Sequence, residues 1–158
     1  MLKDIGAAAL LTAFLASIYT VFAAARAFRL SARSEADAAR RRSSWLASAR
    51  TGQQLQLPLL GVSVLALLLL ILGDHFDIAY IYSVSSVDMP VYLKITALWG
   101  GQEGSLLFWS FCMSAFTAAA ARRFSFNDRF QAAFFLVTAG ILSFFLMVST
   151  IFDNPFAT

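Results

Sequence analysis

Residues 55–73 read LeuGlnLeuProLeuLeuGlyValSerValLeuAlaLeuLeuLeuLeuIleLeuGly, nineteen consecutive positions without a formal charge. A helix rises about 1.5 Å per residue, so about 20 apolar residues cross the hydrocarbon core of a bilayer. This run has that length, and LeuLeuLeuLeuIleLeu at Leu67–Leu72 is apolar on every face. A barrel strand is shorter and alternates in polarity. The stretch therefore predicts a membrane-spanning helix.

Working outward, three more stretches behave alike. Ile5–Ala25 and Phe130–Phe152 carry no charge, and Ile95–Ala121 carries one, Glu103. The fold expected is an all-α integral membrane protein, one membrane domain over residues 1–158, with four spans near 5–25, 55–73, 95–121 and 130–152. Composition agrees. Apolar residues make up 59% and charged residues 13% of 158 positions, and mean hydropathy is +0.72. Soluble domains have about 45–50% apolar and about 25% charged residues. Disorder is excluded because it requires low hydrophobicity. A disulfide scaffold and a four-ligand zinc site are excluded because the chain has one cysteine, Cys112, and one histidine, His75.

The first run ends in AlaAlaAla at Ala23–Ala25, which resembles a signal-peptide cleavage site. Lys3 is offset by Asp4, however, and a block of arginines follows: Arg26, Arg29, Arg33, Arg40, Arg41, Arg42 and Arg50. Such a block resists translocation, so the reading is a retained helix. The connection at 74–93 is acidic until Lys94, with Asp74, Asp77 and Asp88. The connection at 122–129 is basic again. The positive-inside rule then places 26–54 and 122–129 in the cytoplasm, with both termini and 74–93 outside. The expected location is a bacterial cytoplasmic (inner) membrane, with periplasmic termini.

Within the basic loop, Ser34 and Asp37 resemble a capping box and Gly52 a helix stop, which predicts a short cytoplasmic surface helix. Arg40, Arg41 and Arg42 with Trp45 suit anionic headgroups, so membrane lipid is the expected partner of this loop. The net charge of +3 and pI of 9.4 come from here, and no nucleic-acid motif accompanies them. Outside, Tyr80, Tyr82 and Tyr92 fit an interfacial aromatic belt. His75 reads as a solvated histidine between Asp74 and Asp77, and Cys112 as a small hydrophobe.

Trp99–Ser105, TrpGlyGlyGlnGluGlySer, is the least ordinary segment. Three glycines in five positions weaken a helix, and Gly100 and Gly104 form a small-xxx-small pair that admits a close neighbour. Two geometries are open. In one, a helix starting near Lys94 carries Glu103 into the membrane, where a carboxylate must be protonated, paired or wet. In the other, Val91–Gly104 is interfacial and Ser105–Ala121 makes the crossing. No phosphate loop is present, because the Lys-Ser/Thr of that motif is missing. A polar packing clasp is favoured over catalysis.

TrpGlyGlyGlnGluGlySerLeuLeuPheTrp at Trp99–Trp109 resembles the N-terminal signature of the CcmF family (CcmF, CycK, NrfE) of cytochrome c-type biogenesis proteins. Phe76–Ile81, Met89–Leu98 and Asp153–Phe156, with Asn154, Pro155 and Phe156, are similar to that family as well. Gln102 departs from it, since many members have histidine there. The resemblance implies haem as cofactor and a place in a haem lyase. Haem would arrive from the chaperone CcmE and join apocytochrome c, with a CcmH-type thiol protein and the rest of the lyase as partners. It implies family-motif roles for Trp99, Gly100, Gly101, Gln102, Glu103, Gly104, Ser105 and Trp109. The family's haem-ligating histidines and Trp-rich domain fall outside the matched region. The chain thus reads as an N-terminal fragment or split subunit that contributes scaffold rather than ligands, with no catalytic residue of its own. The alternative is a transporter or channel subunit with Glu103 as its intramembrane polar site.

Overall fold

The structure, a computed structural model, describes residues 1–32, 36–123 and 127–158. It is helical: α1 (Leu2–Leu30), α2 (Ala36–Leu72), α3 (Ala79–Val84), α4 (Val91–Thr96), α5 (Gln102–Arg123) and α6 (Asp128–Met147). A 3-10 turn (Ala97–Trp99) precedes α5, and a π turn (Val148–Phe152) extends α6. Four helices are long and apolar enough to cross a membrane: α1, α2, α5 and α6 with its π turn. The four-span expectation holds.

The core is the antiparallel hairpin of α1 and α2. The buried face of α1 is mostly small: Gly6, Ala9, Ala13, Ser17, Thr20, Ala23, Ala24 and Ala27, with Leu10. In lipid there is little hydrophobic drive between helices, so close backbone approach and interhelical hydrogen bonds hold them. Both are present. Ser63 Oγ on α2 donates to the Gly6 carbonyl at 3.1 Å, and Ser17 and Ser143 hydroxyls of α1 and α6 lie 2.8 Å apart. Gly52 abuts Thr20, and its missing Cβ would collide with the Thr20 hydroxyl. One apolar cluster joins Leu10, Leu60, Leu67, Ile71, Leu107 and Leu142. A second, nearer the arginines, joins Ala23, Ala24, Ala27, Leu46, Ala49 and Phe135.

One expectation is corrected. The short surface helix after the first span does not stand alone, because residues 36–72 form one continuous helix of 37 residues. Ala38, Leu46 and Ala49 carry the buried stripe back along that arginine-rich half, and Phe22 packs edge-on against Trp45 at 5.6 Å. Gly52 is a packing gap inside the helix, not its stop. Pro58 also lies within it, where its ring leaves one carbonyl of the preceding turn without an amide donor. The proposed cap residue Ser34 lies outside the described residues. Of the two geometries open for the third segment, the structure is nearer the one in which Val91–Gly104 stands apart from the crossing helix, with α5 beginning at Gln102. The segment breaks at Gly100 and Gly101, between the 3-10 turn and α5.

At one end of the bundle are α1's N-terminus, the ends of α2 and α6, all of α3 and α4, and the start of α5. At the other lie the arginines. Arg42 bonds Asp128 at 3.1 Å, Arg41 lies 3.6 Å from Asp37, and Arg40 is exposed. Asn127 caps α6, its Oδ1 accepting from the Phe130 N–H at 2.8 Å.

Candidate functional site

The break at Gly100–Gly101 is closed by a tyrosine that sequence reasoning assigns to the membrane belt. Tyr80, on α3, is 3% exposed. Its hydroxyl donates to the Ala97 carbonyl at 2.7 Å, has the Leu98 carbonyl at 3.3 Å, and accepts from the Gly101 N–H at 3.4 Å. A helix end leaves carbonyls and amides without intrahelical partners. Here one hydroxyl serves both sides of the interruption. Burial, reinforced by the nearby Glu103 charge, pushes the Tyr80 hydroxyl up to about 12, so it stays protonated and able to donate.

The glycines are required by this contact. A Cβ on Gly104 would collide with the Tyr80 hydroxyl and the Leu98 carbonyl, and one on Gly101 would lie 2.8 Å from the Tyr80 ring. At Gly100 a Cβ would come no closer than 3.4 Å to Ala97. Gly104 therefore seats Tyr80, and Gly100 does not take part in the seat. Ser105 Oγ donates to the Trp99 carbonyl at 2.9 Å, which secures the other side of the break.

Four further bonded pairs close the assembly into a ring. Lys94 on α4 is 6% exposed, and its Nζ lies 2.5 and 2.7 Å from the Asp74 carboxylate at the end of α2. Asp74 has a left-handed φ of 55°, which aspartate tolerates better than most residues. Gln102 Nε2 donates to Asp153 at 2.9 Å, tying α5 to the segment after α6. In that segment the Asn154 side chain accepts from the Phe156 N–H at 3.0 Å, a local turn. The turn buries Pro155 and drives Phe156 against Gly6 and Ala66. The Ala79 N–H donates to the Ala157 carbonyl at 3.1 Å, which returns the ring to α3.

Glu103 lies half-buried in the first turn of α5, with no hydrogen bond or ion pair to the described residues. An N-terminal first turn favours a carboxylate. Trp99 stacks against Phe108 at 5.3 Å and stays 44% exposed, while Trp109, Tyr82 and Tyr92 are exposed. Sequence reasoning brings out the Trp99–Ser105 segment and the Asn154 turn. It misses Tyr80 as their partner, and it misses the Lys94–Asp74 pair. A lone lysine between apolar residues, followed by the motif, was the available signal for the second.

No protein-family model matches the chain. It is 39% identical over 84 residues to the cytochrome c-type biogenesis protein NrfE of Haemophilus influenzae, covering 52% of this chain and 13% of the relative. It is 32% identical over 114 residues to the cytochrome c-type biogenesis protein CcmF of Pseudomonas aeruginosa, covering 72% of this chain and 17% of that one. The solved structure of the cytochrome c haem lyase CcmF superposes with a TM-score of 0.87 at 22% identity, over 99% of this chain and 25% of that chain. The chain belongs to the CcmF family of cytochrome c-type biogenesis proteins. The matched stretches span 13% and 17% of the two sequence relatives, and the chain spans a quarter of the solved CcmF chain.

CcmF-family membership implies haem, and the donors present test that. His75 is the sole histidine of the sequence, exposed and 3.7 Å from Asp77. Among the described residues no group of three or more His, Cys, Asp or Glu side chains could hold a metal. Cys112 is half-buried beside Met113 and Phe116 in an apolar recess of α5. A six-coordinate haem iron takes two axial ligands, and these residues do not form such a pair. The CcmF-family motif here is a structural ring, bonded through backbone groups, with aromatic side chains turned outward.

Proposed function

We propose that this chain serves a cytochrome c haem lyase as its membrane scaffold, and that the ring around Gly104 and Tyr80 forms the foundation of its haem-receiving face. One observation carries the reading. Tyr80 bonds the backbone on both sides of the break and Gln102 bonds Asp153, while Trp99, Trp109, Tyr82 and Tyr92 stay on the outside. A bonded base beside exposed aromatic rings suits a docking platform rather than a reaction centre.

In this reading the ring end faces the periplasm and the arginine end the cytoplasm of an inner membrane. The platform meets the rest of the lyase, the haem chaperone CcmE, a CcmH-type thiol protein and apocytochrome c. The haem ligands come from sequence or subunits beyond these 158 residues. Gln102 braces the platform through Asp153, and Glu103 supplies a carboxylate to the first turn of α5.

The test is co-purification and cytochrome c maturation with Glu103→Ala and Gln102→Ala together. Expected are reduced recovery of the lyase partners and several-fold less covalently bound haem on c-type cytochromes. Normal assembly and normal haem attachment in the double variant sink the reading.

A further inference from the structure

The arginine end holds a cleft between α2, α5 and α6 that nothing above uses. Its volume is about 220 Å³, and Arg50, Gln53, Ala118, Arg122 and Phe135 line it. No carboxylate is among its lining residues. Gln53 is 2% exposed, and neither its amide nitrogen nor its amide oxygen has a hydrogen-bond partner among the described residues. Burying an amide unpaired is costly, so a side chain left that way beside a cleft is suited to a ligand. Arg50 gives one N–H group to Gln131 at 3.0 Å and keeps its other donors. Arg122 makes no ion pair with the described residues and is exposed at the mouth.

Each part of this cleft selects a chemical feature. Two guanidinium groups without a carboxylate select a phosphate, which the planar fork of arginine matches with paired N–H donors. The Gln53 amide supplies a donor for a further phosphate oxygen and an acceptor for a hydroxyl. Ala118 and Phe135 make the wall apolar. The cleft opens between helices at the bundle end that carries most of the positive charge, where basic interhelical pockets take anionic headgroups. Arg26, Arg29 and Arg41 around Trp45 add to the field at that end.

We propose that this cleft binds the headgroup of an anionic phospholipid of the phosphatidylglycerol type, its phosphate on Arg50 and Arg122 and its free hydroxyl on Gln53. The inference does not depend on the haem lyase reading. It makes this corner of the bundle a specific lipid seat rather than a surface that attracts any anion.

The test is native mass spectrometry of the chain released from nanodiscs of phosphatidylglycerol and phosphatidylcholine in equal amounts. The wild-type chain is expected to retain phosphatidylglycerol about tenfold over phosphatidylcholine, a ratio that corresponds to about 1.4 kcal/mol. Arg122→Gln and Gln53→Leu are each expected to cut that preference to below about threefold. Gln53→Leu replaces an unpaired buried amide with an apolar side chain, so it keeps the fold. Arg123→Gln removes the same charge outside the cleft and is expected to change nothing. Equal loss with Arg122→Gln and Arg123→Gln, or none with either, overturns the site in favour of general attraction. Retention of inorganic phosphate in place of lipid, when millimolar phosphate is added, overturns the lipid as its occupant.

Discussion

Gly104 has the least room of the motif glycines. Its substitution by alanine drives a methyl into the Tyr80 hydroxyl and the Leu98 carbonyl, one held in a buried bond and the other backbone. Overpacking of this kind costs about 1–3 kcal/mol. With neither neighbour a flexible tip, Gly104→Ala is expected at the upper end. Tyr80→Phe removes one buried hydrogen bond from the Ala97 carbonyl, which keeps the Gly100 N–H at 3.1 Å, a loss of about 1 kcal/mol. Denaturant titration of the chain in micelles reads both. Gly100→Ala, with an ordinary contact at 3.4 Å, is the matched control and is expected to be near neutral. Titration gives an independent check on Tyr80. Its hydroxyl is raised from 10 to about 12, so the stabilising contribution is complete below pH 10 and is lost as pH rises through 12. Tyrosinate absorbance from Tyr80 is expected to develop near pH 12, and Tyr80→Phe is expected to delete that phase. The Lys94–Asp74 pair should be asymmetric. The Lys94 side chain is 7% exposed and that of Asp74 34%, so Asp74→Asn strands a buried ammonium while Lys94→Met frees a carboxylate that water can reach. Asparagine accepts the left-handed backbone at position 74, so the comparison isolates the charge. Thermal unfolding is expected to fall further for Asp74→Asn than for Lys94→Met.

At the scale of elements, α2 shows what a glycine does when it is not a terminator. Gly52 faces Thr20 across the α1–α2 seam, whereas a methyl added at Gly140 on α6 would meet nothing within 4 Å. Gly52→Val is expected to force the hairpin apart and lower the melting midpoint. Gly140→Ala is expected to be tolerated or to stabilise by about 0.5–1 kcal/mol, through helix propensity alone. Circular dichroism melts of the two variants in one detergent separate them. The same helix shows which parts of the fold were legible. Uncharged length located four spans, because the bilayer fixes that length whatever the packing. It could not show that residues 36–54 continue α2, since a charge run and a Gly52 look alike in a surface helix and in a helix that projects past the membrane. The deciding facts are tertiary: Leu46 and Ala49 meet α1's alanines, and Ala38 is buried on the same helix. The candidate site divides in the same way. Trp99–Ser105 stands out by composition, and the Asn154 turn by its residue types. Tyr80 does not stand out, because its role depends on the chain folding back across a separation of 17 positions so that one hydroxyl reaches Ala97.

For the whole molecule, the two ends are chemically unlike. One is a ring of polar bonds, buried at Tyr80 and exposed at Gln102–Asp153, beside exposed aromatic side chains, and the other is a basic end with clefts between helices. Antiparallel helices sort these features automatically, because each connection returns to the end its predecessor left. As proposed, the first end is the working face of a haem lyase scaffold and the second its seat in an anionic leaflet. A reporter fused at Thr158 is therefore expected to be active in the periplasm, and cytoplasmic activity would reverse the assignment of the ends. The most direct measurement is covalent haem on c-type cytochromes in cells that lack this chain, read by haem staining after denaturing electrophoresis. Staining is expected to be lost on deletion, to return with the wild-type chain or with Gly140→Ala, and not to return with Gly104→Val. Undiminished haem staining in the deletion strain would contradict the scaffold role.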